Sequence, residues 1–382
     1  MQAIIIGGGI GGMASAIALR RAGIQTTAYE SSERPAASGA GIVLAANSMK
    51  ALAMLGLADT VTEAGAVVTR LQFRRQDGGV LKDLSPADFS PDPSARMIAI
   101  HRTDLHNVLS ASPDAPPIRF NSECTGFEQD DDGVTATFSD GSHERADLLV
   151  GADGLWSEVR SRLHGDAAPR FAGYSAWRGI AIPGAPPLPE GVAFEATGRG
   201  TRFGCAPLGS GRFYWWGAFN ASSPQAGGEA NGRRTAALAE FEGWHGLVRS
   251  LIDATPEDEM LLHAIYDRDP LKERWGEGRV TLLGDAAHPM TPDLGQGASQ
   301  ALEDAVVLAK AMGGADGIED GLRRYEKERS ARTSPLVRRS RLMGRIGQAE
   351  SLPLRWLRDA ALRVAPNRLV ASQLRSVTRF PG

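Results

Sequence analysis

The chain opens Met1-Gln2-Ala3-Ile4-Ile5-Ile6-Gly7-Gly8-Gly9-Ile10-Gly11-Gly12. Gln2–Ile6 is a short apolar run ending in glycine, the pattern of a strand buried on both faces of a parallel sheet. Ile10, Met13, Ile17 and Leu19 then fall at helical spacing until Gly23 stops the helix. Gln25–Tyr29 reads as a second strand with Glu30 at its carboxyl end. Together they form a β-α-β unit in which Gly7, Gly9 and Gly12 satisfy G-x-G-x-x-G. The first glycine allows the tight turn, the second lets a pyrophosphate approach the backbone, and the third packs helix on strand. The helix N-terminus, with Ile10 and Gly11 in its first turn, offers free N–H groups and partial positive charge to the phosphates. Glu30, eighteen residues past Gly12, is placed to accept from ribose hydroxyls. An acid there disfavours a 2′-phosphate, so NAD or FAD is expected.

Working outward, 382 residues are too many for one simple core and suggest two domains, possibly interleaved. Apolar content of 42% and charged content of 23% are those of an ordinary globular protein. A net charge of −3 advertises no nucleic-acid partner. Two cysteines, Cys124 and Cys205, cannot build a disulfide framework, which fits a reducing cytoplasm. The short apolar run Ile4-Ile5-Ile6, passing straight into glycines, is not expected to be a signal peptide, and no apolar run reaches the roughly 20 residues of a membrane span. From residue 331 onward, eleven arginines face only Glu350 and Asp359, a local balance of +9 that leaves −12 for the rest.

Further along, Asn47 stands where it could cap a helix carrying Met49, Leu52, Met54 and Leu55. Gly39-Ala40-Gly41 marks a loop, and residues 85–94 form a Pro/Ser-rich connection. Arg102–Ser110 has helical spacing. Residues 126–138 and 142–150 read as a hairpin around Asp130-Asp131-Asp132-Gly133. Residues 174–180, 193–197, 201–208 and 212–219 read as successive strands of an antiparallel sheet, and helices return at 233–241 and 246–252. Residues 279–283 form another buried strand, followed by helices at 297–312 and 318–343 and a last amphipathic segment at 352–364. Residues 183–190 are a loop.

Two more strand–turn motifs echo the first. Gly151-Ala152-Asp153-Gly154 follows Leu148-Leu149-Val150, with Ser157 and Arg160 on the helix beyond. Gly284-Asp285-Ala286-Ala287-His288-Pro289 follows Leu282-Leu283, with Pro289 expected in a helix, and leads to Pro292-Asp293-Leu294-Gly295-Gln296-Gly297-Ala298. With these three motifs the chain resembles the single-component FAD-dependent aromatic hydroxylases, the p-hydroxybenzoate hydroxylase type of flavoprotein monooxygenase, over nearly its whole length. The resemblance implies an α/β fold: a Rossmann-like FAD-binding domain interleaved with an antiparallel β-sheet substrate domain, followed by C-terminal helices. The expected parts are residues 1–70, 97–167 and 278–330 for FAD, 71–96 and 168–277 for substrate, and 331–382 for the terminal helices.

By that resemblance Asp285 accepts from a ribityl hydroxyl of tightly but non-covalently bound FAD. Pro292, Gly295, Gln296, Gly297 and Ala298 meet the flavin ring, Gly41 and Arg102 touch the cofactor, and Asp153 lies behind the pyrophosphate and bears on NAD(P)H use. The amino end of the helix at Gly297 would stabilise negative charge on reduced flavin. In this family NAD(P)H, bound only transiently, reduces the flavin. O2 adds at C4a, and the hydroperoxide passes one oxygen to an electron-rich substrate. The cofactor carries the difficult chemistry and the protein supplies orientation and a dry cavity. No catalytic triad is required.

The stretch Thr201-Arg202-Phe203 with Gly211-Arg212-Phe213-Tyr214-Trp215-Trp216 is similar to the urate-hydroxylase and zeaxanthin-epoxidase-like branch. Arg178, Arg202, Tyr214, Trp216, Pro292 and Asp293 are accordingly the expected substrate contacts. Asp293, Tyr214 and Arg202 are the candidate catalytic groups, Asp293 as acceptor for a phenolic or lactam proton. An arginine there binds an anionic or carbonyl-bearing partner bidentately. Phe213 and Trp215 read as core, Cys205 as a small apolar lining, and His288 as either a base or a support for its loop. The expected activity is hydroxylation of an aromatic or N-heteroaromatic small molecule by a cytoplasmic monomer or homodimer. Epoxidation and N- or S-oxidation remain open. The fold is also compatible with a halogenase, a non-catalytic FAD protein and a geranylgeranyl-reductase-like enzyme. A halogenase would carry a Trp-x-Trp-x-Ile-Pro signature, which has no counterpart here. The basic C-terminus has two readings, a solvated face paired with the acidic body or a face for an anionic membrane.

Overall fold

A computed structural model describes residues 1–33, 40–85, 88, 96–165, 167–183, 188–226, 232–272 and 274–380. Gly39, most of the 85–94 connection and part of the 183–190 loop lie outside the described residues. In chain order the strands are β1 Gln2–Ile6, β2 Gln25–Tyr29, β3 Gly41–Leu44, β4 Ala66–Val68, β5 Arg70–Arg75, β6 Val80–Leu84, β7 Met97–His101, β8 Ile118–Arg119 and β9 Cys124–Gln129. There follow β10 Val134–Phe138, β11 His143–Ala146, β12 Leu148–Gly151, β13 Arg170–Ala181, β14 Val192–Thr197, β15 Thr201–Gly209, β16 Arg212–Asn220, β17 Leu261–Asp267 and β18 Val280–Leu282.

The parallel sheet expected from the β-α-β unit is present. Its order is β18-β12-β1-β2-β8, all pairs parallel. The helix Ile10–Arg21 follows β1 and packs on the helix Gly297–Gly313. Its buried face is rich in glycine and alanine, which lets the two axes approach closely: a Cβ on Gly11 would meet Leu283 at 2.9 Å and Ala301 at 3.2 Å. One strand moves relative to the sequence reading. β10 pairs with β9 and β11 as a hairpin, but Leu148–Gly151 leaves it and enters the parallel sheet between β1 and β18. All four of its residues are buried, and such an unbroken apolar run belongs between two covered faces rather than in a half-exposed hairpin.

The second large sheet has seven strands in the order β17-β13-β16-β15-β14-β5-β6, antiparallel except for the β14–β5 pair. Period-two alternation divides its faces. Trp177, Phe203, Cys205, Trp215 and Phe219 pack with Phe241, Val248, Leu251 and Ile252 of the covering helical layer, including Gly246–Asp253. Arg178, Arg202, Tyr214 and Trp216 have the opposite parity and look toward the parallel-sheet body. Here Trp215 is core, as its sequence context suggests, and half-buried Phe213 packs against that core.

Three local expectations are corrected. Asn47 is not a cap, because the helix Ala46–Met54 is preceded by Ala45, and the Asn47 amide instead donates to Gln296 at 2.8 Å and Glu303 at 2.7 Å. Pro289 lies outside any helix, since Gly284–Ala286 forms only a single 3-10 turn. The segment Leu352–Val364 is not the last helix: Asn367–Thr378 follows, and its Val370, Ala371 and Leu374 cover Leu84 at the sheet edge. The long helix runs Ile318–Gly347 with Pro335 inside it.

Candidate active site

The β1 turn is shaped for a ligand to approach main chain. Gly7 has φ +105°, and a Cβ there would sit 2.3 Å from the Ala152 carbonyl oxygen. A Cβ on Gly12 would sit 1.9 Å from the Gly7 oxygen. A Cβ on Gly9, by contrast, would meet nothing within 4 Å, so its open side faces the cleft. Glu30 closes the turn by accepting from the Gly8 N–H at 2.8 Å and the Ser32 N–H at 3.0 Å. Burial works against its charge, but these hydrogen bonds outweigh burial and hold the carboxyl below its ordinary range. The His106 ring, 2.8 Å from the Gly8 oxygen, also braces the turn, and nothing in the sequence pattern marks it.

The second and third motifs are wired together. Ser157 caps the helix Glu158–His164 by accepting from the Arg160 N–H at 2.9 Å. The Arg160 guanidinium donates to the carbonyls of Ala286 and Ala287 at 2.8 and 2.9 Å. Asp153 lies beside this junction. One of its oxygens accepts from the Val159 N–H, the other is buried without a partner, and burial pushes the carboxyl up. Arg102 begins its helix with an exposed side chain that makes no ion pair among the described residues. Gly41 is fixed by packing, since a Cβ would fall 2.4 Å from the Tyr214 ring.

At the third motif, Gly284 at φ +63° donates its N–H to Asp304 at 2.9 Å. Asp285 opens toward the cleft while protein crowds around it, and that burial pushes its carboxyl up. Pro292–Leu294 makes a second 3-10 turn, Gly295 takes φ +61°, and the helix Gly297–Gly313 starts with Gly297 and Ala298 partly open to the cleft. The Gln296 side chain points inward and accepts from Asn47. Beneath lies a buried charged network. His288 pairs with Asp304 at 2.6 Å, Arg329 reaches Asp304 at 2.5 Å and Glu303 at 2.6 Å, and Arg332 reaches Glu303 at 2.6 Å. Burial opposes ionisation of Asp304, but His288 and Arg329 prevail and hold it down to about 2. This places His288 as a brace of the loop, away from the open cleft.

On the seven-stranded sheet, pairing registers set Arg178 opposite Trp216, Trp216 opposite Gly204, and Gly204 opposite Glu195, one row over four strands. Gly204 is needed there, because a Cβ would lie 2.1 Å from the Trp216 indole. Tyr214 packs beside Trp216 at 5.4 Å between ring centroids, and its hydroxyl makes no hydrogen bond among the described residues. Burial raises the Tyr214 phenol, against the pull of Arg178 and Arg102. The same two arginines, after burial, lower His263 on β17, so Arg102 and Arg178 both lie near Tyr214 and His263. Two residues along β15 from Gly204, Arg202 is engaged at every nitrogen: it bonds Asp293, Glu195 at 3.3 Å and Gln348 at 3.3 Å. Burial lowers its guanidinium, but Glu195 and Asp293 raise it further. The Asp293 carboxylate is fully buried and also accepts from the Tyr174 hydroxyl at 2.8 Å. Arg202 and Asp293 therefore sit with each other, with Tyr174, Glu195 and Gln348 completing the cluster, while half-buried Arg178 and Trp216 and buried Tyr214 lie on the same sheet face apart from it.

An FAD binding domain model matches residues 1–340. The chain belongs to the FAD-dependent aromatic monooxygenases. Curated relatives of this monooxygenase include the aurachin C monooxygenase/isomerase of Stigmatella aurantiaca, 36% identical over all of this chain and 98% of that protein. A 3-amino-4-hydroxybenzoate 2-monooxygenase, PtmB3 of Streptomyces platensis, is 39% identical over 94% of this chain and 92% of that protein. Klebsiella pneumoniae HpxO in complex with FAD and uric acid superposes with a TM-score of 0.92 at 31% identity, over 99% of this chain and 96% of that one. The residues of the monooxygenase fit an FAD on their own geometry. The glycine turn leaves open space for a Cβ only at Gly9, Asp153 keeps an unpartnered buried oxygen, and Asp285 is exposed with a carboxylate oxygen 3.8 Å from where a Cβ on Gly297 would stand. Among the described residues no helix is long and apolar enough to cross a membrane.

Proposed function

We propose that this FAD-dependent monooxygenase, with NAD(P)H as transient reductant, hydroxylates an aromatic or N-heteroaromatic small molecule carrying an acidic or carbonyl oxygen. The observation that carries this reading is the row Arg178–Trp216 with Tyr214 beside it, on the sheet face where the Tyr214 ring packs against Gly41. Bound FAD supplies reduction by NAD(P)H and transfer of one oxygen atom from O2. The chain supplies the rest. Residues 1–70, 97–167 and 278–330 hold the cofactor: Gly7, Gly9, Ile10, Gly11 and Gly12 take the pyrophosphate, Glu30 the ribose, and Asp285 the ribityl chain. Gly41, Arg102 and Asp153 border it, and the N–H groups of Gly295, Gln296, Gly297 and Ala298 with Pro292 face the ring. Residues 71–96 and 168–277 form the substrate side.

On that side Trp216 offers a flat apolar wall on which an aromatic ring stacks. Arg178 attracts the anionic end of the substrate. Tyr214, kept protonated by burial, donates its proton in a hydrogen bond to a substrate oxygen and orients the ring. Arg202 and Asp293 act one step back: their mutual pairing fixes the loop at Pro292 against β15, so Asp293 positions Arg202 and the loop. Low local dielectric makes such a cluster rigid when all its members are bonded.

The test is a panel of aromatic acids, phenols, purines and quinolones, scored by stimulated NAD(P)H oxidation and by products one oxygen heavier. For any active compound, Tyr214→Phe should raise KM by about tenfold, the loss of a hydrogen bond to a polar ligand group. No stimulation across the panel, or an unchanged KM in the variant, refutes the assignment.

A further inference from the structure

The helix Leu352–Val364 is amphipathic, and it is turned inside out. On its wheel Leu352, Trp356, Val364, Leu357 and Leu354 share one arc, and their exposures are 75%, 73%, 80%, 59% and 58%. None of its residues is buried. The side turned toward the body carries Arg355, Arg358 and Asp359 beside Leu362: the Arg358 side chain, only 10% exposed, pairs with Asp359 and donates to the Gly347 carbonyl at 3.0 Å. At the other end, Lys82 donates to the Ala365 carbonyl at 2.6 Å. These contacts fix the helix with its apolar arc outward, so it does not bury that arc by rolling onto the sheet. Leu342 and Ile346 just before it and Leu369 just after it are exposed as well. An apolar array of this extent on a folded chain marks a contact surface.

The charge around it selects the occupant. Between residues 342 and 370 there are five arginines, Arg345, Arg355, Arg358, Arg363 and Arg368, against Glu350 and Asp359. Four of the five make no ion pair among the described residues, and Arg345, Arg363 and Arg368 are exposed. A second copy docking by a two-fold axis would press this basic rim against its own duplicate, which is repulsive. An apolar arc bearing a tryptophan and fringed by free arginines matches an anionic lipid surface, where the ring sits at headgroup level and each cation adds about 1 kcal/mol of attraction.

We propose that the Leu352–Val364 helix, with the Arg363–Leu369 corner that follows, seats the enzyme on the surface of an anionic lipid bilayer without crossing it. This goes beyond the assignment of the reaction and does not depend on it. The test uses the FAD-loaded full chain in sedimentation with vesicles of phosphatidylcholine alone and vesicles also containing phosphatidylglycerol. Binding should be at least about tenfold stronger to the anionic vesicles and should weaken with added salt. The double variant Trp356→Glu, Leu357→Glu should lose that binding by at least about tenfold while keeping its flavin and its melting temperature, because both side chains are exposed. Absence of binding to anionic vesicles overturns the proposal, as does equal binding by the variant. A concentration-dependent dimer without lipid, abolished by the same variant, also overturns it and assigns the face to a second copy.

Discussion

The nucleotide turn offers a perturbation whose effect on fold and on ligand should separate cleanly. Gly9 has φ −71° and ψ −177°, a conformation any residue adopts, and a Cβ there meets no protein atom within 4 Å. Gly9→Ala should therefore leave the stability of the cofactor-free protein within about 0.5 kcal/mol of the parent. The added methyl instead projects into the space where a pyrophosphate would approach the helix N-terminus. Displacing the phosphate from one or two charge-assisted hydrogen bonds costs about 3 kcal/mol, roughly a hundredfold in Kd. Gly12→Ala is the contrasting case. Its Cβ would lie 1.9 Å from the Gly7 oxygen, so the helix must withdraw by about 1 Å to reach even the 3.0 Å below which real Cβ contacts are essentially never seen. That helix is buried along most of its length, and such overpacking costs about 1–3 kcal/mol in the cofactor-free protein as well. Titration of apoprotein by quenching of FAD fluorescence, with melting curves taken with and without FAD, reads both effects. Wild-type FAD affinity in Gly9→Ala, or an apoprotein as destabilised as that of Gly12→Ala, refutes the reasoning.

Asp293→Asn removes one of two carboxylates from the buried Arg202. It should cost about 3 kcal/mol of stability and lower the yield of hydroxylated product, and unchanged hydroxylation with an unchanged pH profile would contradict the positioning role. Asp304 is held down to about 2 in the fold, against an ordinary value of about 3.9, so its contribution is fully present above the higher value. That contribution should disappear as pH falls toward about 2, and Asp304→Asn should flatten the acid side of the stability curve while costing about 3–5 kcal/mol near neutrality. Both thiols should resist labelling at mildly alkaline pH until the chain unfolds, since burial pushes Cys124 up to about 11 and Cys205 higher still. Rapid modification of native protein by a thiol reagent would show either cysteine to be less enclosed.

What is legible in the sequence is what backbone geometry demands. Gly7 and Gly12 stand where a side chain would strike a carbonyl, so the glycine spacing by itself marks the turn. The alternation of Trp215 toward the covering helices and Trp216 toward the opposite sheet face is likewise written in a period of two. Side-chain partners from distant segments are not legible. Asn47 looks like a cap from its neighbours, yet its amide serves Gln296 and Glu303, some 250 residues away in sequence. Tyr174, Glu195 and Gln348 carry no motif, and only the packing of β13, β14 and the end of the long helix brings them to Arg202. The one available signal is parity: Tyr174 shares its strand face with Arg178, two pleats on. The outward apolar arc of Leu352–Val364 is visible as amphipathicity, but its direction is set by Arg358 and Lys82 contacts that no pattern records.

The most direct measurement is turnover of a stimulating aromatic compound by the FAD-loaded enzyme with NAD(P)H under isotopically labelled dioxygen, followed by product mass. One labelled oxygen atom in the product, with label absent when labelled water replaces labelled dioxygen, is the expected result. Product that carries no label, or NAD(P)H oxidation that no aromatic compound stimulates, contradicts the assignment of this cleft as an aromatic hydroxylation site.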